Sequence, residues 1–527
     1  MKDRIKYVET FSMTCLFSTF LVMGHALDKN GYLNLQEWWK FAIAVAVTPF
    51  VTIVLHYIFN WIEQRLSLHE EEAILHRREL IAYAVFLAIA WGIVLLGVYP
   101  GFFVYDAGDE LLQVITRDFT THHPLLHVLY LGGTVQAGYK LFGTYNAGIF
   151  CFTMMQMLFF ISGIVYVVYK MRSFGMHRYV CRGMILFMGL FPVYPMFVLC
   201  SCKDSIFSLV LLLWVVNTYE WWHKPGRYCR CRWILWAILM CLLRNNAMYA
   251  LLVTVVCMII FMKSYRKQLM GMTLLVLAFS TLISNGLAGI FHAEAGGKQE
   301  LLTVPIQQLA RTYQLDREVF SQEDEELLLS YIPKEYLERY TPKLSDAVKI
   351  GFQNEVFSQD SVSFLKLWLR IGLKSPISYL NAWLMTSYGY WYPNATVDVY
   401  KGNQVFTFTY EDNSYFGYET EQPGIRDSKI TVIDEFYRKL SLETYKEKIP
   451  VVAQLFSMGF MFWVYIWIML FTIRVRGIQS TMPYLLIFWT IATLLLGPTY
   501  LPRYVFFLWL VIPFMLGDIC MGKNNRK

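Results

Sequence analysis

Tyr99-Pro-Gly-Phe-Phe-Val-Tyr-Asp-Ala-Gly-Asp-Glu-Leu-Leu-Gln113 is the stretch on which the reading of this chain turns. It follows a strongly apolar run, Leu80 to Val98, long enough to cross the hydrocarbon of a bilayer. Pro100 and Gly101 then end that helix. Three acids follow within five residues: Asp106, Asp109 and Glu110. Acids at the end of a spanning helix are costly unless they meet water or do chemistry. If a helix restarts near Asp106, then Asp106, Asp109, Glu110 and Gln113 share one face. At a membrane surface that face offers a general base or a cation site. The same acids would equally cap a solvated helix.

Composition sets the wider frame. The chain has 527 residues, 56% of them hydrophobic and 16% charged, where a soluble protein carries about a quarter charged. Mean hydropathy is +0.40. These values identify an integral membrane protein. The net charge of +7 is modest and belongs to loops, so nucleic acid is excluded as a partner. The 17% aromatic content suits interface belts and grooves for lipid or sugar. Val8 to Leu27 ends at Asp28 without a small-residue cleavage site and reads as a retained helix. None of the ten cysteines lies between His292 and Ile449, which excludes a disulfide framework there. Cys200/Cys202 and Cys229/Cys231 lack a second pair at zinc spacing, so the cysteines read as buried thiols.

Apolar segments run over 7–27, 40–61, 80–99, 147–169, 179–200, 204–222, 232–243, 247–262, 270–291, 450–473, 482–497 and 503–521. Cations gather in alternate connections: Lys2, Arg4 and Lys6; Arg65, Arg77 and Arg78; Lys170, Arg172, Arg178 and Arg182; Lys224, Arg227, Arg230 and Arg232; Lys263, Arg266 and Lys267; Arg474 and Arg476; Lys523, Arg526 and Lys527. The positive-inside rule makes those sides cytoplasmic, with both termini inside. The expected fold is an all-α polytopic protein of the cell membrane with about 12 transmembrane helices. Residues 1–291 form an N-terminal transmembrane module, 292–449 a mostly α extracytoplasmic domain and 450–527 the last helices.

Two long connections face outward. The first, 100–146, carries the acids, then Thr121-His-His-Pro-Leu-Leu-His127, then Val128 to Phe142, expected as a helix along the interface. The second, 292–449, opens with Thr303-Val-Pro-Ile-Gln-Gln-Leu-Ala-Arg311. Within it, Ser363 to Tyr388 is amphipathic and expected on the membrane surface. Val397 to Thr409 is expected as a hairpin around Lys-Gly-Asn.

Lys203, Arg244 and Arg503 break the positive-inside pattern, in the polar breaks Ser201-Cys-Lys-Asp204, Leu243-Arg-Asn-Asn246 and Pro498-Thr-Tyr-Leu-Pro-Arg-Tyr504. A cation on the wrong side at a helix end needs a partner. A phosphate is one, because Arg offers a bidentate fork and Lys a point charge. Snorkelling or an ion pair with Asp204 is the other. His123 with Asp106 and Asp109 is a candidate metal set; structural histidine is the alternative. Gln307 and Arg311 share a helix face suited to a sugar or pyrophosphate, or to a cap.

Together these motifs resemble the GT-C glycosyltransferase superfamily. The features that carry the resemblance are Tyr-Pro-Gly…Asp…Gln in the first long external loop with His-Pro beyond it, Lys203-Asp204, Arg-Asn-Asn, Pro-Ile-Gln-Gln-Leu-Ala-Arg and Pro-Arg-Tyr. They look like an uncharacterised Gram-positive branch of it. The resemblance implies transfer of a sugar from a polyprenyl-phosphate carrier, on the outer face and without a nucleotide donor, to a cell-wall glycan, lipid or protein acceptor. It implies Asp106 as the base, while Asp109-Glu110 resembles the Asp-Glu pair of protein mannosyltransferases. The implied binding residues are Gln113, His123, Lys203, Asp204, Arg244, Asn245, Gln307, Gln308, Arg311, Arg503 and Tyr504. Some members use a divalent cation, Mg or Mn, for which Asp106 and Asp109 are the candidates. The competing reading is a polytopic transporter or lipid flippase, which polar breaks would suit; no inverted repeat is visible.

Overall fold

The structure is a computed structural model and describes residues 2–33, 37–65, 76–398, 420–442 and 449–521. Among these residues the chain is all-α, with isolated bridges at Phe102–Cys200, Thr120–Glu294 and Thr341–Leu344 and no strand. In chain order come α1 (Lys2–Asn30), α2 (Trp38–Arg65), α3 (Arg77–Gly97), α4 (Ala107–Thr116), α5 (Leu125–Phe142) and α6 (Tyr145–Ser173). Then follow α7 (Arg178–Leu190), α8 (Val193–Val198), α9 (Lys203–His223), α10 (Arg227–Leu243), α11 (Asn245–Phe261), α12 (Arg266–Ile290) and α13 (Thr303–Leu315).

Among the described residues eight helical segments are long and apolar enough to cross a membrane: within α1, α2, α3, α6 and α9, at Lys263–Ile290, which includes α12, and at Met458–Arg476 and Pro502–Cys520. This is an all-α membrane protein. The sequence led us to expect twelve crossings, with the two near residue 240 too short to span alone; those two are short, and so are two more. The 179–200 segment breaks at Pro192 into α7 and α8, because proline removes a donor and crowds the preceding turn. α10 and α11 have 17 residues each, about 25 Å at 1.5 Å per residue against roughly 30 Å of hydrocarbon. Ile478–Leu494 is similarly short.

α9 is the axis of the bundle, buried from Asp204 through Tyr219. A helix that is apolar all round is stable only inside a core or in lipid. α2 is the opposite case, with Trp38, Phe50, Tyr57 and Trp61 all exposed on its surface. The helix ends sort by charge. At one end lie Lys6–Glu63 (2.9 Å), Lys170–Glu220 (2.7 Å), Arg182–Glu79 (3.2 Å) and Arg476–Asp518 (2.9 Å). At the other lie Asp106, Lys203, Arg244 and Arg503, and this is the site end.

α5 is not a solitary surface helix. It folds back on α6 through Gly143, whose φ is +78°, and a Cβ on Gly138 would stand 2.6 Å from the Gly148 Cα. Only glycine permits that approach. The 303–379 region has its own core around Ile306, Leu309, Phe364, Leu367 and Ile371. The stretch expected as amphipathic forms two helices, Ser361–Lys374 and Pro376–Ser387, divided at Pro376. From the last turn of the second onward, Leu384, Met385, Tyr388, Tyr390, Trp391 and Tyr392 join the core of the bundle. The region seats on the bundle through Ser345 N to Pro498 O (3.0 Å), Trp383 Nε1 to Leu495 O (2.8 Å) and Tyr390 Oη to Thr499 O (2.9 Å). The expected hairpin falls almost wholly on 399–419, outside the described residues. Half of the cysteine expectation stands: Cys181, Cys200, Cys202, Cys229 and Cys241 are buried, whereas Cys231 is exposed.

Candidate functional site

Two chain breaks are stitched together backbone to backbone. Phe102 N donates to Leu199 O (3.0 Å) and Ser201 N donates to Phe102 O (3.0 Å). The Ser201 hydroxyl donates to Phe102 O (3.1 Å) and accepts from Val104 N (3.1 Å). The Gln156 amide reaches from α6 to Val198 O (2.7 Å) and Cys200 O (2.6 Å). These bonds satisfy buried backbone groups where no helix does so. On the other flank, Glu421 N donates to Phe103 O (2.8 Å) and Asp427 N to Tyr99 O (3.0 Å). The Tyr-Pro-Gly loop is therefore held between the start of α9 and the 420–429 segment. Gly101 takes φ +133°, and a Cβ there would stand 2.4 Å from the Thr153 Oγ1. Tyr105, a bulky residue, takes φ +68°. That is a strained position of the kind that concentrates at functional sites.

The stitching sets the charges. Asp106 precedes α4 and Lys203 opens α9. Lys203 Nζ lies 3.1 Å from Asp106 Oδ2, 4.0 Å from Glu110 Oε1 and 2.9 Å from His123 Nδ1. Because Lys can only donate, His123 Nδ1 accepts. Arg503 Nη1 stands 3.5 Å from Asp106 Oδ2 and Arg503 Nε 3.7 Å from Asp204 Oδ2. Both are charge contacts beyond good hydrogen-bond length, and these two Arg503 nitrogens are buried without a hydrogen-bond partner. The guanidinium lies over the Tyr105 ring, 4.0 Å from its centroid, and its Nη2 donates to Tyr504 Oη (3.0 Å). Arg244 Nη1 lies 2.6 Å from Asp204 Oδ1, and its guanidinium lies over the Tyr504 ring at 5.1 Å. Three carboxylates thus balance three cations, with Lys203 and Asp106 the more exposed members, at 18% and 26%.

Burial would raise the Asp106 carboxyl, but Lys203, Arg503 and His123 together hold it well below its usual 3.8. Glu110 follows the same rule: burial opposes ionisation, and His127 with Lys203 overcomes it. His127 Nδ1 and Glu110 Oε2 are 2.5 Å apart, with both side chains buried. Burial, and then Lys203, pushes His123 down to about 4, so it is neutral at pH 7.

The acids do not share one face. Asp106 and Glu110 look toward Lys203, while Asp109 is exposed and lines a separate cavity with Glu421. Burial, then the charge of Asp106, raises Asp109. Gln113 accepts from Thr120 N (3.0 Å) and holds the α4–α5 connection instead of facing the cluster. Asn245 is exposed; Asn246 is the engaged amide, accepting from Arg244 Nε (3.2 Å) and donating to Thr493 Oγ1 (2.8 Å). Gln307, Gln308 and Arg311 serve packing. They bond Thr341 O (2.8 Å), Tyr379 O (3.2 Å) and Tyr340 Oη (3.0 Å) respectively. The 303–349 region still reaches the site's margin, where His122 lies 3.9 Å from Glu300, Glu300 2.8 Å from Lys349, and Lys349 2.7 Å from Asp346.

The donors expected for a divalent ion do not converge on one point. Asp106 Oδ2 and His123 Nδ1 are both taken up by Lys203, and Asp109 faces elsewhere. Among the described residues no three His, Cys, Asp or Glu side chains converge as a ligand set. Glu421 went unnoticed in the sequence, because it sits in an acid-rich polar stretch with no spacing to mark it.

No curated protein and no solved structure matches the chain. A family model described as a family of unknown function, DUF6020, matches residues 111–526, a span that includes Lys203, Asp204, Arg244 and Arg503 and begins just after the three acids. By that match over most of its length, the chain belongs to this family of unknown function, DUF6020.

Proposed function

We propose that the protein is a membrane glycosyltransferase that moves a sugar from a polyprenyl-phosphate carrier to a hydroxyl acceptor at the outer membrane face. In this reading the chain crosses the membrane twelve times with both termini cytoplasmic, the short helices completing alternate passes. The observation that carries it is Arg503: a buried guanidinium with two nitrogens that make no hydrogen bond, one of them 3.5 Å from the Asp106 carboxylate that Lys203 also holds. A phosphate oxygen would give either nitrogen the charge-assisted hydrogen bond that neither carboxylate reaches at hydrogen-bond length.

In the reaction the bond from the anomeric carbon to the phosphate oxygen breaks, and the leaving lipid phosphate keeps the electron pair. Lys203 and Arg503 stabilise the charge that develops on it. The acceptor oxygen bonds to the anomeric carbon, and its proton passes to Asp106. One displacement inverts the anomeric centre. At rest Asp106 is a weak base, because Lys203 and Arg503 hold it ionised. A donor phosphate drawing those cations toward itself releases the carboxylate, so the base strengthens only when the donor is bound.

The test is incubation of purified protein with a panel of polyprenyl-phosphate sugars, reading released lipid phosphate. Release is expected to fall about 100-fold or more in Asp106→Asn. Full activity in that variant removes Asp106 from the chemistry. Carrier movement across vesicles without sugar transfer replaces the enzyme with a flippase.

A further inference from the structure

The cavity beside the charged cluster plays no part in that chemistry as written. It opens to the surface and has a volume of about 440 Å3 between α4 and residues 421–423, within the range of small-ligand sites. Tyr105, Asp109, Leu112, Ile115, Tyr145 and Glu421 are among its walls, and among the described residues no cation is. It lies next to the cluster, because Tyr105 lines the cavity and also sits beneath the Arg503 guanidinium. Glu421 Oε2 accepts from Gly108 N at the start of α4 (2.9 Å), but its Oε1 is buried and has no hydrogen-bond partner.

A walled volume with two carboxyl groups and no cation repels phosphate and welcomes hydroxyl donors. Its leucine, isoleucine and tyrosine walls suit the apolar faces of a sugar ring. We propose that this cavity is the acceptor subsite and that it takes an uncharged polyhydroxylated ligand, a sugar or polyol, whose hydroxyls bond the carboxyl groups of Glu421 and Asp109. The assignment as acceptor rests on the transferase reading; the ligand class does not. Burial, and then the charges of Asp106 and Asp109, push the Glu421 carboxyl up to about 8. At neutral pH it is mostly protonated and can both donate to a hydroxyl and accept from one.

The test labels the cavity wall. Leu112 is 54% exposed, so Leu112→Cys leaves the fold intact and places a thiol at the rim. Maleimide labelling of the detergent-purified protein is followed on that peptide by mass spectrometry, with methyl glucoside or glucose 6-phosphate as competitor. Methyl glucoside at about four times its Kd is expected to slow labelling about fivefold, and glucose 6-phosphate to leave it unchanged. Adding Glu421→Gln abolishes most of the protection without changing the labelling rate in the absence of sugar. Absence of protection by the glycoside, or equal protection by the phosphate, overturns the proposal. Protection without any release of lipid phosphate from carrier sugars keeps a sugar-binding cavity and removes its role as acceptor subsite. Release without protection removes the cavity alone.

Discussion

Lys203 is the residue on which the cluster's electrostatics depend, because among the described residues it alone reaches Asp106, Glu110 and His123 together. Removing one partner of a buried ion pair costs more than removing both, since an uncompensated charge is left behind. Lys203→Ala is therefore expected to destabilise by about 3 kcal/mol. Adding Asp106→Asn to it should recover part of the loss, a coupling on the order of 1 kcal/mol given the partial exposure. Chemical denaturation of the two single variants and the double variant measures it, and strict additivity would show that the pair is not coupled.

Glu421 supplies the pH signature. Its carboxyl is raised from 4.5 to about 8 in the folded chain. Between those values the folded state holds a proton that the unfolded state has released, so stability falls as pH rises through that window. Glu421→Gln removes this slope. The variant should gain melting temperature relative to the parent at pH 8 and show little difference at pH 4. Parallel melting curves at both pH values would return Glu421 to an ordinary solvated acid.

At the scale of elements, the decisive piece is the extended run between α3 and α4. Gly101→Ala meets two obstacles, a left-handed φ of +133° and a Thr153 Oγ1 only 2.4 Å from the new Cβ. Strained backbone of this kind costs of order 1–3 kcal/mol. Thr153→Ala relieves the second obstacle alone, so the double variant should recover part of the lost melting temperature and not all of it. Complete recovery would mean that the backbone tolerates the conformation.

The same run explains what the sequence disclosed. Three cations stood where a membrane topology should have none, so Lys203, Arg244 and Arg503 could be read from charge placement, and the structure brings them to the acids. The phase of each helix could not be read so well. α4 starts one residue beyond Asp106, which turns Asp109 away from Glu110's partners. α11 starts at Asn245, which leaves that amide exposed and aims Asn246 inward. Gln307 and Arg311 do lie on α13, but what a helix face meets depends on a loop folded from elsewhere, here Tyr340 and Thr341. Glu421 could not be found by any local rule, because its role comes from a backbone pairing with Phe103 across 318 residues, 421 minus 103.

Across the whole molecule, charge divides the two ends of the bundle, and that division is the physical basis for orientation in a membrane. One end carries ion pairs in which Lys and Arg flank the helix termini, as at Lys170–Glu220 and Arg476–Asp518. The other end carries the balanced cluster and the 303–379 core seated above it. Cations are retained on the cytoplasmic side during insertion, so in the orientation we propose the first end faces inward and the cluster outward. Two exposed residues report the two ends: Leu301, 82% exposed beside Glu300, and Tyr228, 84% exposed at the start of α10. In a background with Cys231→Ser, a membrane-impermeant maleimide should label Leu301→Cys in intact cells and Tyr228→Cys only after permeabilisation. The reverse pattern would place the cluster in the cytoplasm, where a donor presented at the outer face could not reach Arg503. Labelling of both in intact cells would break the alternation of passes on which the twelve-crossing arrangement depends.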